Sequence, residues 1–259
     1  MTPETPPTLV LLHGLWGDRH DWSAVEALLG NSLPILSLDL PGHGLAREDR
    51  TEGFSEAHRW LSHTLASHGV SRYCLAGYSL GGRLALYHAS HAPAGLCGLW
   101  LESAHPGLSL NERKARLEHD ERWAVRFERE PLHRVLRDWY RQPVFADLDA
   151  AQRMQRQQRR QGNDGRAVAA MLRATSLGHQ PDLTAWLART QLPVAYLSGC
   201  DDAKFHALAT RLATTCPQLE HHVLDGGHNL HAEVPQAVAR LLSDWYARCM
   251  RYRSPHDPQ

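Results

Sequence analysis

Residues 75–86 read LAGYSLGGRLAL, and Gly77-Tyr78-Ser79-Leu80-Gly81 within them form a G-x-S-x-G motif. The apolar run before the serine, SRYCLAGYS (71–79), predicts a buried strand, and LGGRLALYHAS after it predicts a helix. A serine on the sharp turn between a strand and a helix is presented as a nucleophile. The glycines at 77, 81 and 82 permit that turn and close helix–strand packing. The helix N-terminus beside Ser79 favours developing negative charge. Arg83 follows four residues on, one helical turn away, where its side chain should point into the same pocket.

Five further apolar runs repeat the strand pattern: TLVLLHG (8–14), LPILSLDLPGHG (33–44), GLCGLWLES (95–103), LPVAYLSGCDD (192–202) and LEHHVLDGGH (219–228). Helix-like stretches lie between them, at 22–29, 55–67, 80–90, 205–214 and 235–249. Strand-then-helix repetition with continuously apolar strands predicts an α/β fold, with a mostly parallel sheet covered on both faces. Residues 107–191 break the pattern. They contain no strand signal, and Trp123, Phe127, Leu132, Leu136, Trp139 and Tyr140 recur at roughly helical spacing. The expectation is a core of residues 1–106 and 192–250, a helical cap at 107–191, and a polar, frayed tail at 251–259.

A serine on such a turn needs an acid and then a histidine later in the chain. The run ending at 202 offers Asp201 and Asp202; the loop GGHNLH offers His228 and His231. Gly226 and Gly227 favour His228, leaving His231 as a cap or surface histidine in a following helix. The backbone N–H groups of Leu80 and Leu15, the latter in HGLWGD, are the expected oxyanion donors. His13 is expected to hold that loop, and His105 to border the site or form a turn.

The chain has 259 residues and no formal net charge, which gives no reason to expect nucleic acid or a charged membrane as partner. No apolar run reaches membrane-spanning length, and no signal peptide is visible. Five scattered cysteines without C-x-x-C read as reduced thiols, and Cys74 and Cys97 as core. The expectation is a soluble cytoplasmic protein, a monomer or small homo-oligomer. The histidines show no metal-site spacing. Lys114 and Lys204 are the only lysines, so the basic residues are almost all arginines, suited to bidentate carboxylate binding.

Residues 8–246 resemble the α/β-hydrolase superfamily. More narrowly, GYSLGGR, ESAHPGL, DWYRQPVF, ATSLGHQPDL, SGCDDAKF and GGHNLH resemble the 2-succinyl-6-hydroxy-2,4-cyclohexadiene-1-carboxylate synthases of menaquinone biosynthesis. That resemblance implies a lyase that eliminates pyruvate from a small polycarboxylate, 2-succinyl-5-enolpyruvyl-6-hydroxy-3-cyclohexene-1-carboxylate, without metal or organic cofactor. It implies Ser79 as base in a triad with Asp202 and His228. Asp202 rather than Asp201 fits the family's G-x-x-D-x-K-F pattern, through Gly199, Lys204 and Phe205. It also implies Arg83, Arg116, Arg160, Tyr78 and Trp139 as substrate contacts, with Arg159 the neighbour of Arg160 in register. Arg116 falls in an R-x-x-x-D-x-x-W pattern with Asp120 and Trp123. The same triad would also serve a serine hydrolase (an esterase, thioesterase or C–C hydrolase) acting on a small carboxylate-bearing substrate.

Overall fold

Six strands form one parallel sheet: β1 (Thr8–Leu12), β2 (Ile35–Leu38), β3 (Tyr73–Tyr78), β4 (Leu96–Glu102), β5 (Val194–Gly199) and β6 (Glu220–Leu224). The order is β2-β1-β3-β4-β5-β6 in the computed structural model, which describes residues 5–252. The strands stop earlier than the apolar runs because each run continues into a loop at the sheet's C-terminal edge. Those loops carry Asp39, Asp202 and His228. The order reverses between β1 and β3, and open α/β sheets bind ligands at such a point.

The core helices are α1 (Ser23–Leu29), α2 (Phe54–Ser67) and α3 (Leu80–Ala89). Five more follow β4 without an intervening strand: α4 (Leu110–Arg129), α5 (Leu132–Trp139), α6 (Ala150–Arg160), α7 (Gly165–Ala174) and α8 (Thr184–Leu187). The chain then returns to the sheet through α9 (Ala203–Thr215), α10 (Leu230–Glu233) and α11 (Pro235–Cys249). Strand side chains alternate between the two faces. Val10 and Leu12 pack with α2, α3 and α9, whereas Leu9 and Leu11 pack with α1 and α11. β3, β4 and β5 are buried along their whole length, as the continuous apolar runs require.

The inserted helices have a core of their own. Capping boxes Ser109/Glu112 and Asp149/Gln152 start α4 and α6. Phe127, Val135, Leu136, Tyr140 and Leu172 pack around Trp16, which rises from the loop after β1 with φ 68°. The insertion therefore sits over the C-terminal end of the sheet. Among the described residues no helix is long and apolar enough to cross a membrane, and of the five cysteines only Cys200 is exposed. Residues 253–259 of the tail lie outside the described residues.

Two buried histidines make the fold acid-sensitive. His43 Nε2 accepts from the Trp16 amide at 3.2 Å, and His88 Nε2 lies 2.6 Å from the Tyr73 hydroxyl. Burial, reinforced by the neighbouring His13 and His58 respectively, lowers each to about 3. An unfolded chain protonates these rings near pH ~6.5, so between there and about pH 3 it binds protons that the folded chain refuses. Stability should fall as pH drops through that window, by about 2 kcal/mol per histidine at pH ~5. Denaturant midpoints measured from neutral pH downward check this, and a flat profile would contradict it.

Candidate active site

Ser79 joins β3 to α3 with φ 50° and ψ −108°, a conformation that L residues rarely hold. Its amide donates to the Glu102 carbonyl at 2.9 Å, fixing the turn against β4. A Cβ on Gly81 would collide with the His13 carbonyl, so glycine lets the start of α3 press against the end of β1. That approach brings Leu80, first residue of α3, beside the loop carrying Leu15. As a first-turn residue, Leu80 has an amide without an intrahelical acceptor. His13 steadies the loop from beneath: its Nδ1 contacts the Gly14 carbonyl at 2.7 Å, and its Nε2 accepts from the Leu40 amide at 2.9 Å.

The acid and the histidine arrive from the next two strand ends. Asp202 precedes α9, and its Oδ1 accepts from the Phe205 amide at 3.1 Å. Its Oδ2 accepts from His228 Nδ1 at 2.6 Å, which leaves the lone pair of the ring on Nε2. Both residues are buried. Asp201 is exposed and makes no contact with His228, so the structure separates the two candidate aspartates. Ser79 Oγ makes no hydrogen bond among the described residues; serine and histidine meet as walls of one cavity of about 330 Å³. Leu15, Leu80, Tyr78, Arg83, Arg116 and Trp139 line the same cavity, which sits between the sheet and the inserted helices.

Arg83 is only 8 % exposed. Its Nη1 donates to the Thr175 carbonyl at the end of α7 at 2.7 Å, and its guanidinium stands 5.9 Å from the Phe54 ring centre. It forms no ion pair among the described residues. Burial, and then repulsion from Arg116, lower it to about 9, still cationic at neutral pH. Arg116 is half-buried and bonds Asp120 through Nε at 2.8 Å. Burial works to raise the Asp120 carboxyl, but His119, Arg116 and Ser176 outweigh it and hold it at about 2. Asp120 is thus already engaged by other partners; its charge reaches Arg83 only at longer range, without a direct ion pair.

Arg160 is not brought to this cavity. Its guanidinium forks onto Asp21 at 2.6 and 2.8 Å, with both side chains buried. The pair lines a smaller adjoining void that shares Leu15, Tyr78, Trp139 and Phe145 with the main cavity. Arg159 is exposed. His231 is no surface residue: its Nδ1 meets Glu102 Oε1 at 2.8 Å, it stacks on Trp22, and it is wholly buried. The short α10 turns it inward under Tyr78. His105 borders the cavity; burial, then Lys204 and Arg83, lower it to about 4, so it is neutral there.

Sequence reasoning did not single out Glu233. One carboxylate oxygen accepts from the Gly227 amide at 2.7 Å and the other from the Asn229 amide at 3.3 Å, so Glu233 grips the chain on both sides of His228. Arg156 of α6 pairs with it at 3.6 Å, tying the insertion to the histidine loop. Glu233→Ala is expected to lower kcat about tenfold by letting His228 drift. Steady-state kinetics check this, and an unchanged kcat would show that the loop holds without it.

Residues 9–241 match the model of the alpha/beta hydrolase family. A 2-succinyl-6-hydroxy-2,4-cyclohexadiene-1-carboxylate synthase of Pectobacterium atrosepticum is 48% identical over 238 residues, covering 91% of this chain and 92% of the relative. The synthase of Yersinia pseudotuberculosis is 49% identical over 246 residues, covering 92% and 88%. Among solved structures, MenH from S. aureus superposes with a TM-score of 0.87 at 26% identity, covering 96% of this chain and 97% of that one. The chain belongs to the alpha/beta hydrolase family and, within it, to the 2-succinyl-6-hydroxy-2,4-cyclohexadiene-1-carboxylate synthases.

Proposed function

We propose that this protein eliminates pyruvate from 2-succinyl-5-enolpyruvyl-6-hydroxy-3-cyclohexene-1-carboxylate, with Ser79 as the base. The observation that carries the reading is Arg83: a buried cation without a direct ion pair among the described residues, on the same cavity as Ser79 and His228. A buried charge is costly unless paired. The substrate brings three carboxylates, on the ring, the succinyl arm and the enolpyruvyl group. A planar guanidinium meets a carboxylate bidentately. Arg83 and Arg116 are the two arginines on the cavity wall. Arg160 has its charge taken by Asp21 in this conformation and lines the adjoining void.

The chemistry follows from the substrate's connectivity. His228, oriented by Asp202, takes the Ser79 proton, and Ser79 Oγ removes the ring proton α to the succinyl carbonyl. The electron pair moves through the ring double bond and breaks the carbon–oxygen bond to the enolpyruvyl group. The diene forms, enolpyruvate leaves, and it takes up a proton to become pyruvate. No water is consumed. The Leu15 and Leu80 amides hold the negative charge that develops on the succinyl oxygen. A positioned base contributes about 10²–10⁴-fold and one oxyanion donor about 10²–10³-fold.

The test is to supply the enolpyruvyl substrate and follow pyruvate through a coupled NADH assay. One pyruvate per diene formed supports the reading; intact substrate after long incubation overturns it.

A further inference from the structure

The active-site cavity does not end at Arg116. It opens into a second groove of about 560 Å³ between α4 and α9. His105, Arg116, His119, Leu177 and Lys204 line both spaces, so the two are continuous. The outer part adds Arg211, which follows Lys204 by seven residues and so shares its face of α9, two turns on. Opposite, Glu112, Arg116 and His119 share one face of α4.

The charge of this groove is lopsided. Lys204 and Arg211 are cations, Arg116 is a third that is paired with Asp120, and Glu112 is the one carboxylate on its wall. Glu112 is engaged by the Ser109 amide at 3.1 Å and by the Ser109 hydroxyl. Neither Lys204 nor Arg211 forms an ion pair among the described residues, although both are exposed. The whole chain carries no net charge, so a positive groove at the mouth of the site is a local feature. Clefts lined by one sign of charge concentrate oppositely charged solutes and raise their rate of capture.

We propose that the groove between α4 and α9 is the entry lane for the carboxylate-bearing substrate, with Arg211 and Lys204 as an outer anion site that captures it before Arg83 and Arg116 engage. The inference rests on the polycarboxylate substrate proposed above. Lys204 marks the handover, since it reaches both spaces. Arg211 belongs to the outer groove alone.

The experiment measures kcat/KM for pyruvate release across ionic strength. The screening length falls from ~30 Å at about 0.01 M salt to ~3 Å at about 1 M. The intact protein should lose about tenfold in kcat/KM over that range. Arg211→Gln should lower kcat/KM about threefold at low salt and flatten the salt dependence, the loss falling on kcat/KM and not on kcat. Glu112→Gln, which keeps the helix cap, should do the reverse and raise kcat/KM about threefold at low salt. Arg240→Gln, at an exposed position of α11 outside both cavities, should follow the intact protein. The inference fails if the Arg211 and Glu112 variants coincide with the Arg240 variant at every salt concentration, or if they shift in the same direction. Absence of pyruvate from the intact protein would instead overturn the proposed reaction, so the two failures are distinct.

Discussion

Ser79→Ala should lower the kcat for pyruvate elimination about 10²–10⁴-fold while leaving substrate affinity nearly unchanged. The split follows from the division of labour at the cavity. Under the proposed reaction, the carboxylate-binding Arg83 and Arg116 on the cavity wall remain in place, and the Leu15 and Leu80 amides are backbone groups that the substitution spares. Only the base is lost. The fold should tolerate the change, because Ser79 Oγ makes no hydrogen bond among the described residues and the turn is fixed by the backbone bond to Glu102. Calorimetric binding of substrate to the alanine variant, beside its turnover, checks both halves. A variant that turns over at near-normal rate would remove Ser79 from the chemistry. One that neither binds nor folds would show the serine to be structural.

Arg83→Met should cost about 10²–10³-fold in kcat/KM, the scale of losing one partner of a buried, hydrogen-bonded charge pair. The effect on stability should be small by comparison. In the free protein the guanidinium is buried with a helix-end carbonyl as its hydrogen-bond partner, so methionine relieves a desolvation cost while orphaning Thr175 O. Activity and stability therefore part company at this position, as expected where a site stores cost for its ligand. Arg83→Lys should recover only part of the loss, since an ammonium cannot fork onto a carboxylate. Kinetics and thermal melts on both variants check this. Full activity in Arg83→Met, or a collapse of its melting point, would show Arg83 to be a packing residue.

The parts of the site legible in the sequence are those set by local chain pattern. Ser79, Asp202 and His228 each follow a strand, and the strands announce themselves as apolar runs. Once the strands align in parallel, their ends lie on one edge of the sheet, which brings Asp202 onto His228 and sets His228 and Ser79 on one cavity. Arg83 was legible for a similar reason, since one helical turn fixes its direction relative to Ser79. Arg160 was not. Its partner Asp21 lies 139 residues away, on a loop whose position depends on how the inserted helices settle over Trp16. No spacing in the chain encodes that pairing. His231 fails in the same way: three residues beyond His228, it could face either side, and only the inward turn of α10 onto buried Glu102 decides. Glu233 escaped because an acid at a helix end reads as a surface residue until the Gly227 and Asn229 amides are seen to converge on it.

In the proposed reaction, a triad common to hydrolases removes a proton from carbon and never acylates the serine. Intact-protein mass spectrometry during turnover of the enolpyruvyl substrate tests it most directly. Steady release of pyruvate from a protein whose mass never changes is expected. A covalent adduct on Ser79 that forms and decays at the rate of turnover would contradict it.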